Sequence, residues 1–215
     1  MAGFRFLGVA LLGLLASSAR ASRREQAYTD VYFCGVINTV EDGDTLFIAI
    51  QAPQIPLPNG QAVPPNGEAG GIPLYKIRFR GVDTPEFHPV PDAEVPVLVQ
   101  PWGEQARAFT AQFIGQEACI YPVDHSYNRI VASIYLMHPP QEWFDAGVDG
   151  DMSLALIRYG LGWWYANFTR DWAHYGRAQA DAEAEHLNMW SGPERPQAPW
   201  DYRDSVRRSG AWPRR

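Results

Sequence analysis

The chain has 215 residues, enough for one domain with a substantial hydrophobic core. Hydrophobic residues make up 46% of it, and 18 prolines with 19 glycines favour a strand-rich or α+β architecture over a helix bundle. The formal charge of −6 at pH 7 argues against a protein that holds nucleic acid by bulk electrostatic attraction alone.

Residues 1–21 have the layout of a secretory signal peptide. Arg5 precedes an apolar run from Phe6 to Ala16, and Ala19-Arg20-Ala21 forms a small-x-small ending. The alternative is an uncleaved membrane anchor, but the apolar run is short for a bilayer. We therefore expect cleavage after Ala21, no stable membrane insertion, and export as a secreted or periplasmic protein. Cleavage would remove two arginines and no acidic residue, changing the formal charge to −8.

Cys34 and Cys119 are the two cysteines of the chain. An oxidising compartment would allow a disulfide bond between them. Two buried free thiols are the alternative, because the sequence alone does not determine their separation in space.

The first predicted hairpin carries two aspartates. Val31–Val40 and Leu46–Ile50 are rich in β-branched and apolar residues, and their connection contains Asp42 and Asp44. Asp-Gly is a common hairpin signal, so the tetrad Asp-Gly-Asp-Thr is weak evidence of function by itself. Residues 51–73 show no sustained periodicity and many prolines and glycines, which predicts a loop.

The segment Lys76–Glu86 concentrates charged residues at the end of a predicted strand. Apolar residues alternate with Arg78 and Arg80, and Pro85 ends the strand. Asp83 and Glu86, with an arginine five residues before Asp83, suit a hard cation beside a phosphate. A polar turn that closes a hairpin is the alternative, and this stretch alone does not decide between them.

The chain then alternates between helical and extended patterns. Residues 87–102 form a proline-broken loop beside the suspected site. From Gly103 the apolar residues recur at helical spacing, and Gly115 is placed to end the helix. Two more strands are predicted at 119–123 and 130–136. The polar turn between these strands sets Arg129 at the start of the second one.

Two further helices are predicted before the carboxyl terminus. Three aspartates, Asp145, Asp149 and Asp151, precede the first, but they lack the spacing of a calcium-binding loop, so we predict a turn with Ser153 as the helix cap. The second runs from about Asp171 to Leu187. Beyond it, tryptophans alternate with prolines, and five arginines follow from position 203 to the end, which predicts an irregular, solvated tail.

The ordered set of motifs resembles the staphylococcal nuclease (thermonuclease) family. The similarity covers about 31–191. The motifs are Asp42-Gly43-Asp44-Thr45, Arg78-x4-Asp83-Thr84-Pro85-Glu86, Gly103-x2-Ala106, Tyr127-Asn128-Arg129, Gly160-Leu161 and Leu187-Asn188-Met189-Trp190-Ser191. The resemblance implies an α+β fold with a mainly β core, a five-stranded OB-type barrel with about three helices. The expected organisation is a signal peptide (1–21), a nuclease-like domain (22–191) and a C-terminal extension rich in Trp, Pro and Arg (192–215).

The resemblance also implies roles for individual residues. The expected calcium ligands are Asp44, Asp83 and the carbonyl of Thr84, with Asp42 behind them. The expected catalytic residues are Glu86 as general base and Arg78 and Arg129 on the phosphate. Tyr127 matches a tyrosine that contacts the nucleotide.

The expected activity is Ca²⁺-dependent hydrolysis of DNA and/or RNA by a monomer, with cleavage of the P–O5′ bond that leaves 3′-phosphates. The alternative is a non-catalytic OB-type module that binds nucleic acid or protein. The sequence departs from the family pattern in two places. Asn128 stands where glycine is usual, in a turn one residue longer than typical, and Ser153 stands where asparagine is usual.

Overall fold

Five long strands form a closed barrel at the centre of the protein, as the sequence predicted. The structure is a computed structural model that describes residues 31–88, 98–169 and 172–210. Its strands are β1 (Phe33–Asp42), β2 (Thr45–Ala49), β3 (Ile55–Pro56), β4 (Ala62–Val63), β5 (Gly67–Ala69), β6 (Ile72–Phe79), β7 (Val82–Asp83), β8 (Phe87–His88), β9 (Leu98–Val99), β10 (Glu117–Ser126), β11 (Arg129–Leu136) and β12 (Trp163–Trp164). Its α-helices are α1 (Gly103–Ala111), α2 (Gln141–Asp145), α3 (Met152–Arg158), α4 (Ala173–Ala184) and α5 (Pro199–Ser209), and two short 3₁₀ helices span Ala166–Phe168 and Asn188–Trp190.

The barrel is built from β1, β2, β6, β10 and β11. Antiparallel pairing runs in the order β11, β10, β1, β2, β6, and a parallel pairing of β6 with β11 closes the circle. Thr45 lies opposite Arg78 across β2 and β6, and Val131 lies opposite Arg78 across β6 and β11. The closure therefore brings the beginning of β2, the end of β6 and the beginning of β11 to the same end of the barrel.

The barrel interior is filled by aliphatic side chains from alternate strand positions. Ile48, Ile77, Ile120 and Ile134 are fully buried. Burying one such side chain contributes about 1.5–3 kcal/mol, and β-branched residues suit the pleated surface. The same core continues into α1, α3 and α4, so the helices and the barrel form one hydrophobic unit.

The three predicted helices correspond to α1, α3 and α4. The cap prediction for α3 was wrong, because Asp151, not Ser153, caps the helix: its carboxylate accepts hydrogen bonds from the backbone N–H groups of Ser153 (2.9 Å) and Leu154 (3.1 Å). Asp171, the predicted start of α4, lies outside the described residues. The sequence did not predict α2, nor α5, which forms in the segment expected to be an irregular tail.

The loop predicted at 51–73 carries more structure than expected. It contains β3, β4 and β5 as well as the first residues of β6, and Ile55 of β3 pairs with Val63 of β4. Both side chains are buried in the main core. Prolines and glycines interrupt these short strands, so the sequence shows no strand-like alternation of apolar residues there. In the second predicted loop, the short strands β8 and β9 pair with each other at the two ends of a segment that lies outside the described residues.

The two cysteines lie opposite each other on neighbouring strands. Cys34 of β1 pairs in register with Cys119 of β10, and the structure joins them by a disulfide bond with 4.0 Å between the Cα atoms. The alternative of two free thiols does not describe this structure.

The predicted signal peptide, residues 1–21, lies outside the described residues. Within the described ranges, none of the helices combines the length and the apolar character needed to cross a membrane.

Candidate active site

A single cavity of about 730 Å³ at one end of the barrel contains every residue for which the sequence predicted a role in metal, phosphate or nucleotide binding. Those residues are Asp42, Asp44, Arg78, Asp83, Thr84, Glu86, Tyr127 and Arg129. The walls also include residues for which the sequence predicted no binding or catalytic role: Glu41, Lys76, Pro85, His88, Ser126, Asn128, Tyr165, Arg203 and Arg207.

The turn between β1 and β2 holds the Asp44 carboxylate in a fixed position. The backbone N–H of Asp44 donates to Oδ1 of Asp42 (3.1 Å), and the N–H of Thr84 donates to Oδ2 of Asp44 (2.8 Å). Asp44 is buried, and the hydrogen bond from Thr84 stabilises the charge of its carboxylate. Burial raises the pKa of Asp42, which lies at the end of β1 and lines the same cavity.

The turn between β1 and β2 has no room for a side chain at Gly43. A Cβ atom at Gly43 would lie 2.8 Å from the Cβ of Ala106 on α1 and 2.7 Å from Oγ1 of Thr84. The hydroxyl of Thr110, one turn later on α1, donates to the carbonyl of Gly43 (2.6 Å). Direct packing of the turn on α1 therefore sets the position of both neighbouring aspartates.

Arg78 at the end of β6 connects the two predicted metal-binding carboxylates. Its guanidinium forms an ion pair with Asp44 and donates to Oδ1 of Asp83 (2.7 Å) and to the carbonyl of Val82 (3.2 Å). The tight turn after β6 makes this contact possible, because Gly81 has a φ of +83° and returns the chain beneath the arginine.

Arg129 faces the same cavity from the beginning of β11. Its Nη1 donates to Oγ1 of Thr45 at 3.4 Å, and the Thr45 hydroxyl donates to Oδ1 of Asp44 at 3.3 Å. Burial and the neighbouring charge of Arg78 lower the pKa of Arg129. Even so, a guanidinium keeps its proton near pH 7, so two cationic forks lie side by side in the cavity.

Tyr127 lies in the two-residue turn that connects β10 to β11. Its side chain is 78% exposed, and its φ of 58° places it in the left-handed region. Asn128 stands where the family usually has glycine, but among the described residues of this turn the positive φ belongs to Tyr127. The side-chain amide of Asn66 donates to the carbonyl of Asn128 (2.8 Å) and holds the turn against the loop before β6.

Glu86 is buried, and each of its carboxylate oxygens has a side-chain nitrogen as its partner. His88 Nε2 lies 2.9 Å from Oε2, and Arg203 Nη1 donates to Oε1 at 2.6 Å. Burial alone would raise the pKa of Glu86, but the hydrogen bonds from His88 and Arg203 outweigh it and lower that pKa. The hydrogen bond with Glu86 raises the pKa of His88, which also lies 3.9 Å from Oδ2 of Asp42.

Arg203 enters the cavity from α5 and binds two of the predicted site residues at once. Besides Glu86, it contacts both carboxylate oxygens of Asp83, with Nη1 at 3.1 Å from Oδ1 and Nη2 at 2.7 Å from Oδ2. Although burial opposes its charge, these hydrogen bonds raise the pKa of Arg203. Sequence reasoning missed this residue because 117 positions separate it from Glu86, and the arginine-rich composition of the tail was the one available signal.

Gln100 links the backbone of Glu86 to the segment that leads into α5. The N–H of Glu86 donates to the side-chain carbonyl of Gln100 (3.3 Å), and the N–H of Gln100 donates to the carbonyl of Glu86 (2.8 Å). The side-chain amide of Gln100 then donates to the carbonyl of Gln197 (2.6 Å). Gln100 is buried, so it positions Glu86 and the start of α5 together.

The oxygen donors at this end of the barrel suit a hard cation in type. Asp44, Asp83 and Thr84 supply two carboxylates and a backbone carbonyl, which is the chemistry that Ca²⁺ prefers. The guanidinium of Arg203, held by carboxylates at 2.6–3.1 Å, is a cation already bound at this place. Within the described residues, however, no group of three or more His, Cys, Asp or Glu side chains is arranged to hold a metal ion.

The closed five-stranded barrel defines an OB-type domain, and the cavity at its end is lined by carboxylates and arginines. The family model described as "Staphylococcal nuclease homologue" matches residues 76–192, more than half of the chain. The chain therefore belongs to the staphylococcal nuclease homologue family. The match includes Arg78, Asp83, Glu86 and Arg129 and ends before α5.

Three rice proteins (Oryza sativa subsp. japonica) are similar to this chain. They carry the names "Probable staphylococcal-like nuclease" CAN2, CAN3 and CAN1. The first two are 24% identical over 136 residues, or 62% of this chain, and the third is 24% identical over 140 residues, or 64%. The alignments cover 30%, 29% and 35% of the relatives' own lengths, so the chain spans about a third of each.

Proposed function

We propose that this protein hydrolyses phosphodiester bonds of DNA and/or RNA with the help of Ca²⁺, cleaving the P–O5′ bond and leaving 3′-phosphates. The observation that carries the proposal is the convergence of Arg78, Glu86 and Arg129 with Asp44 and Asp83 on one cavity. Membership of the staphylococcal nuclease homologue family and the printed names of the rice relatives support the same chemistry.

In this proposal Arg78 and Arg129 bind the phosphate group under attack. The transition state of phosphodiester hydrolysis carries extra negative charge on its phosphoryl oxygens, and fixed guanidinium groups stabilise that charge in a water-poor cavity. Arg129 is suited to this role because the hydrogen bond found for its guanidinium among the described residues is the long one to Thr45, at 3.4 Å. Exchanging that bond for a phosphate oxygen would cost little.

Glu86 acts as the general base that removes a proton from the attacking water. The carboxylate is buried and its pKa is lowered, so it is ionised at neutral pH, which is the form that a general base needs. A bound Ca²⁺ would polarise the phosphate and help to supply the water. Asp44, Asp83 and the Thr84 carbonyl would hold this ion, while the exposed ring of Tyr127 would contact the nucleotide at the rim.

The experiment is a cleavage assay on denatured DNA and on RNA, in Ca²⁺ and in a chelator, with Arg129→Ala beside a matched surface variant, Arg158→Ala. Arg158 pairs with Glu185 on the surface at 2.8 Å and lies outside the cavity. We expect calcium-dependent products ending in 3′-phosphate and a loss of about 10²–10³-fold in rate for Arg129→Ala, the size measured when one transition-state donor is removed.

Calcium-independent cleavage, or equal activity of the two variants, would contradict the assignment. Binding of DNA or RNA without turnover would instead identify a non-catalytic OB-type module.

We further propose that the protein is exported and monomeric. The Cys34–Cys119 disulfide is consistent with an oxidising compartment. Detection of the chain in the cytoplasm with residues 1–21 still attached would contradict export, and the mass in solution measured by light scattering tests the monomer.

A further inference from the structure

Helix α5 contacts two of the proposed site residues through hydrogen bonds from Arg203. Arg203 Nη1 and Nη2 together make three hydrogen bonds of 2.6–3.1 Å to Asp83 and Glu86. The side chain of Arg203 is 23% exposed, so these charge-assisted bonds form largely out of contact with water, where they are strong.

These contacts occupy the atoms that the reaction would need. One oxygen of Glu86 is bonded to Arg203 and the other to His88, so each oxygen already has a donor in the position where a water would be activated. Asp83 receives Arg203 on both oxygens and Arg78 on one of them. A cation at Asp83 and the guanidinium of Arg203 would therefore repel each other and compete for the same carboxylate oxygens.

The rest of α5 is held weakly enough to release Arg203. Pro199 is the buried residue of the helix, and the hydroxyl of Tyr202 makes a long hydrogen bond of 3.4 Å to the carbonyl of Val99. Trp200 lies 5.7 Å, between ring centroids, from both Trp163 and Tyr165 and anchors the first turn. An open groove of about 460 Å³ runs beside the segment before the helix and reaches Tyr202.

We propose that α5 is a built-in latch, in which the guanidinium of Arg203 takes the place of the metal cation at Asp83 and keeps Glu86 from acting until Ca²⁺ displaces it. Binding of Ca²⁺ and docking of α5 then exclude each other, so each weakens the other by the same factor. This inference rests on the proposed function for the identity of the ion and of the base, but its two readouts below do not depend on cleavage.

The test uses the full mature protein and two matched variants on the same helix. Arg203→Gln removes the guanidinium in the cavity, whereas Arg208→Gln removes an exposed charge outside it. Calorimetric titration with Ca²⁺ gives the affinity, and hydrogen exchange followed by mass spectrometry reports the protection of residues 199–210. Near-ultraviolet circular dichroism checks that both variants keep the native fold.

We expect Arg203→Gln to bind Ca²⁺ at least tenfold more tightly than the wild type, and Arg208→Gln to stay within twofold. Without Ca²⁺, residues 199–210 should exchange slowly in the wild type and in Arg208→Gln and faster in Arg203→Gln. Added Ca²⁺ should accelerate their exchange in the wild type.

Equal or weaker Ca²⁺ binding by Arg203→Gln, no Ca²⁺ binding by either variant, or slower exchange of α5 with Ca²⁺ would overturn the latch. The latch would also be overturned if Arg203→Gln binds Ca²⁺ more tightly but added Ca²⁺ does not accelerate hydrogen exchange of α5 in the wild type. Removal of a nearby positive charge would by itself explain that result. If both readouts succeed and no cleavage is seen, the latch stands and the proposed nuclease function fails. If cleavage depends on calcium but the wild type and Arg203→Gln bind Ca²⁺ with equal affinity, the proposed nuclease function stands and the latch fails.

Discussion

Replacing Glu86 with glutamine separates chemistry from stability more cleanly than any other change in the cavity. Glutamine has almost the same shape and keeps a carbonyl oxygen where Arg203 Nη1 donates at 2.6 Å. Its amide cannot accept a proton from water, so the general base is lost. General-base catalysis contributes about 10²–10⁴-fold to a rate, or about 3–5 kcal/mol of activation free energy.

The cost of this change to folding is much smaller. Glu86 is buried, and the substitution leaves a neutral carbonyl acceptor for Arg203 and places an amide NH2 opposite His88 Nε2, which accepts a hydrogen bond from it when the imidazole is neutral. The difference between a charge-assisted and a neutral hydrogen bond is about 1 kcal/mol, which in a protein of this size lowers Tm by about 2–4 °C. The structure therefore predicts a large loss of kcat with a small loss of stability.

The assay is single-turnover cleavage of a labelled single-stranded oligonucleotide in Ca²⁺, combined with thermal unfolding of the same samples. Glu68→Gln is the matched control, because Glu68 is exposed on β5 and does not line the cavity. A rate for Glu86→Gln within tenfold of the wild type would refute its role as general base. A fall in Tm large enough to unfold the variant at the assay temperature would refute the structural part of the reasoning.

Three further outcomes follow from contacts within the described fold. Asp151→Ala should lower the free energy of unfolding by about 2–4 kcal/mol in urea titrations, because it removes a helix cap with two backbone donors and leaves a buried tyrosine hydroxyl without its 2.6 Å acceptor; a loss below 1 kcal/mol would contradict the buried network. Reduction of Cys34–Cys119, whose partners are 85 positions apart, should cost about 4–5 kcal/mol, and alkylation of both cysteines in the unfolded chain without prior reduction would show that the bond is absent. The hydrogen bond to Glu86 raises the pKa of His88 in the folded state. The stabilisation by His88 should therefore be complete below its unfolded pKa of about 6.5 and disappear as the pH rises through the folded pKa. A difference in unfolding free energy between wild type and His88→Gln that grows with pH would contradict this expectation.

Much of the site could be predicted because its residues lie in short motifs with strong local rules. A hairpin turn places Asp42 and Asp44 together, and Arg78, Asp83 and Glu86 lie within nine positions of the chain. The structure ends the predicted strand at Phe79, and Asp83 follows in the short strand β7. The resemblance to a known family then implied a five-stranded OB-type barrel. The family match and the closed barrel agree with that part of the prediction.

Other elements escaped prediction because they have no periodicity of their own. The strands β3 to β5 are two or three residues long, and proline and glycine interrupt them. Asp151 and Ser153 are both good cap residues, and the sequence does not say which one the chain places at the helix start. The backbone conformation decides which of the two residues caps the helix. Asp151, with a φ of −68° and a ψ of 110°, lies just outside the helix and is the cap.

The sequence by itself determined the hydrophobic pattern of the barrel strands, the polar turns between them and the chemical types of the groups in the cavity, because these depend on neighbours along the chain. The tertiary structure decided which charges meet. Closure of β6 against β11 brings Arg129 beside Arg78, and docking of α5 brings Arg203 onto Asp83 and Glu86 from 120 and 117 positions away. Electrostatic contacts depend on distance in space, which no local pattern encodes, so a tail that resembles a solvated arginine-rich segment becomes part of the cavity.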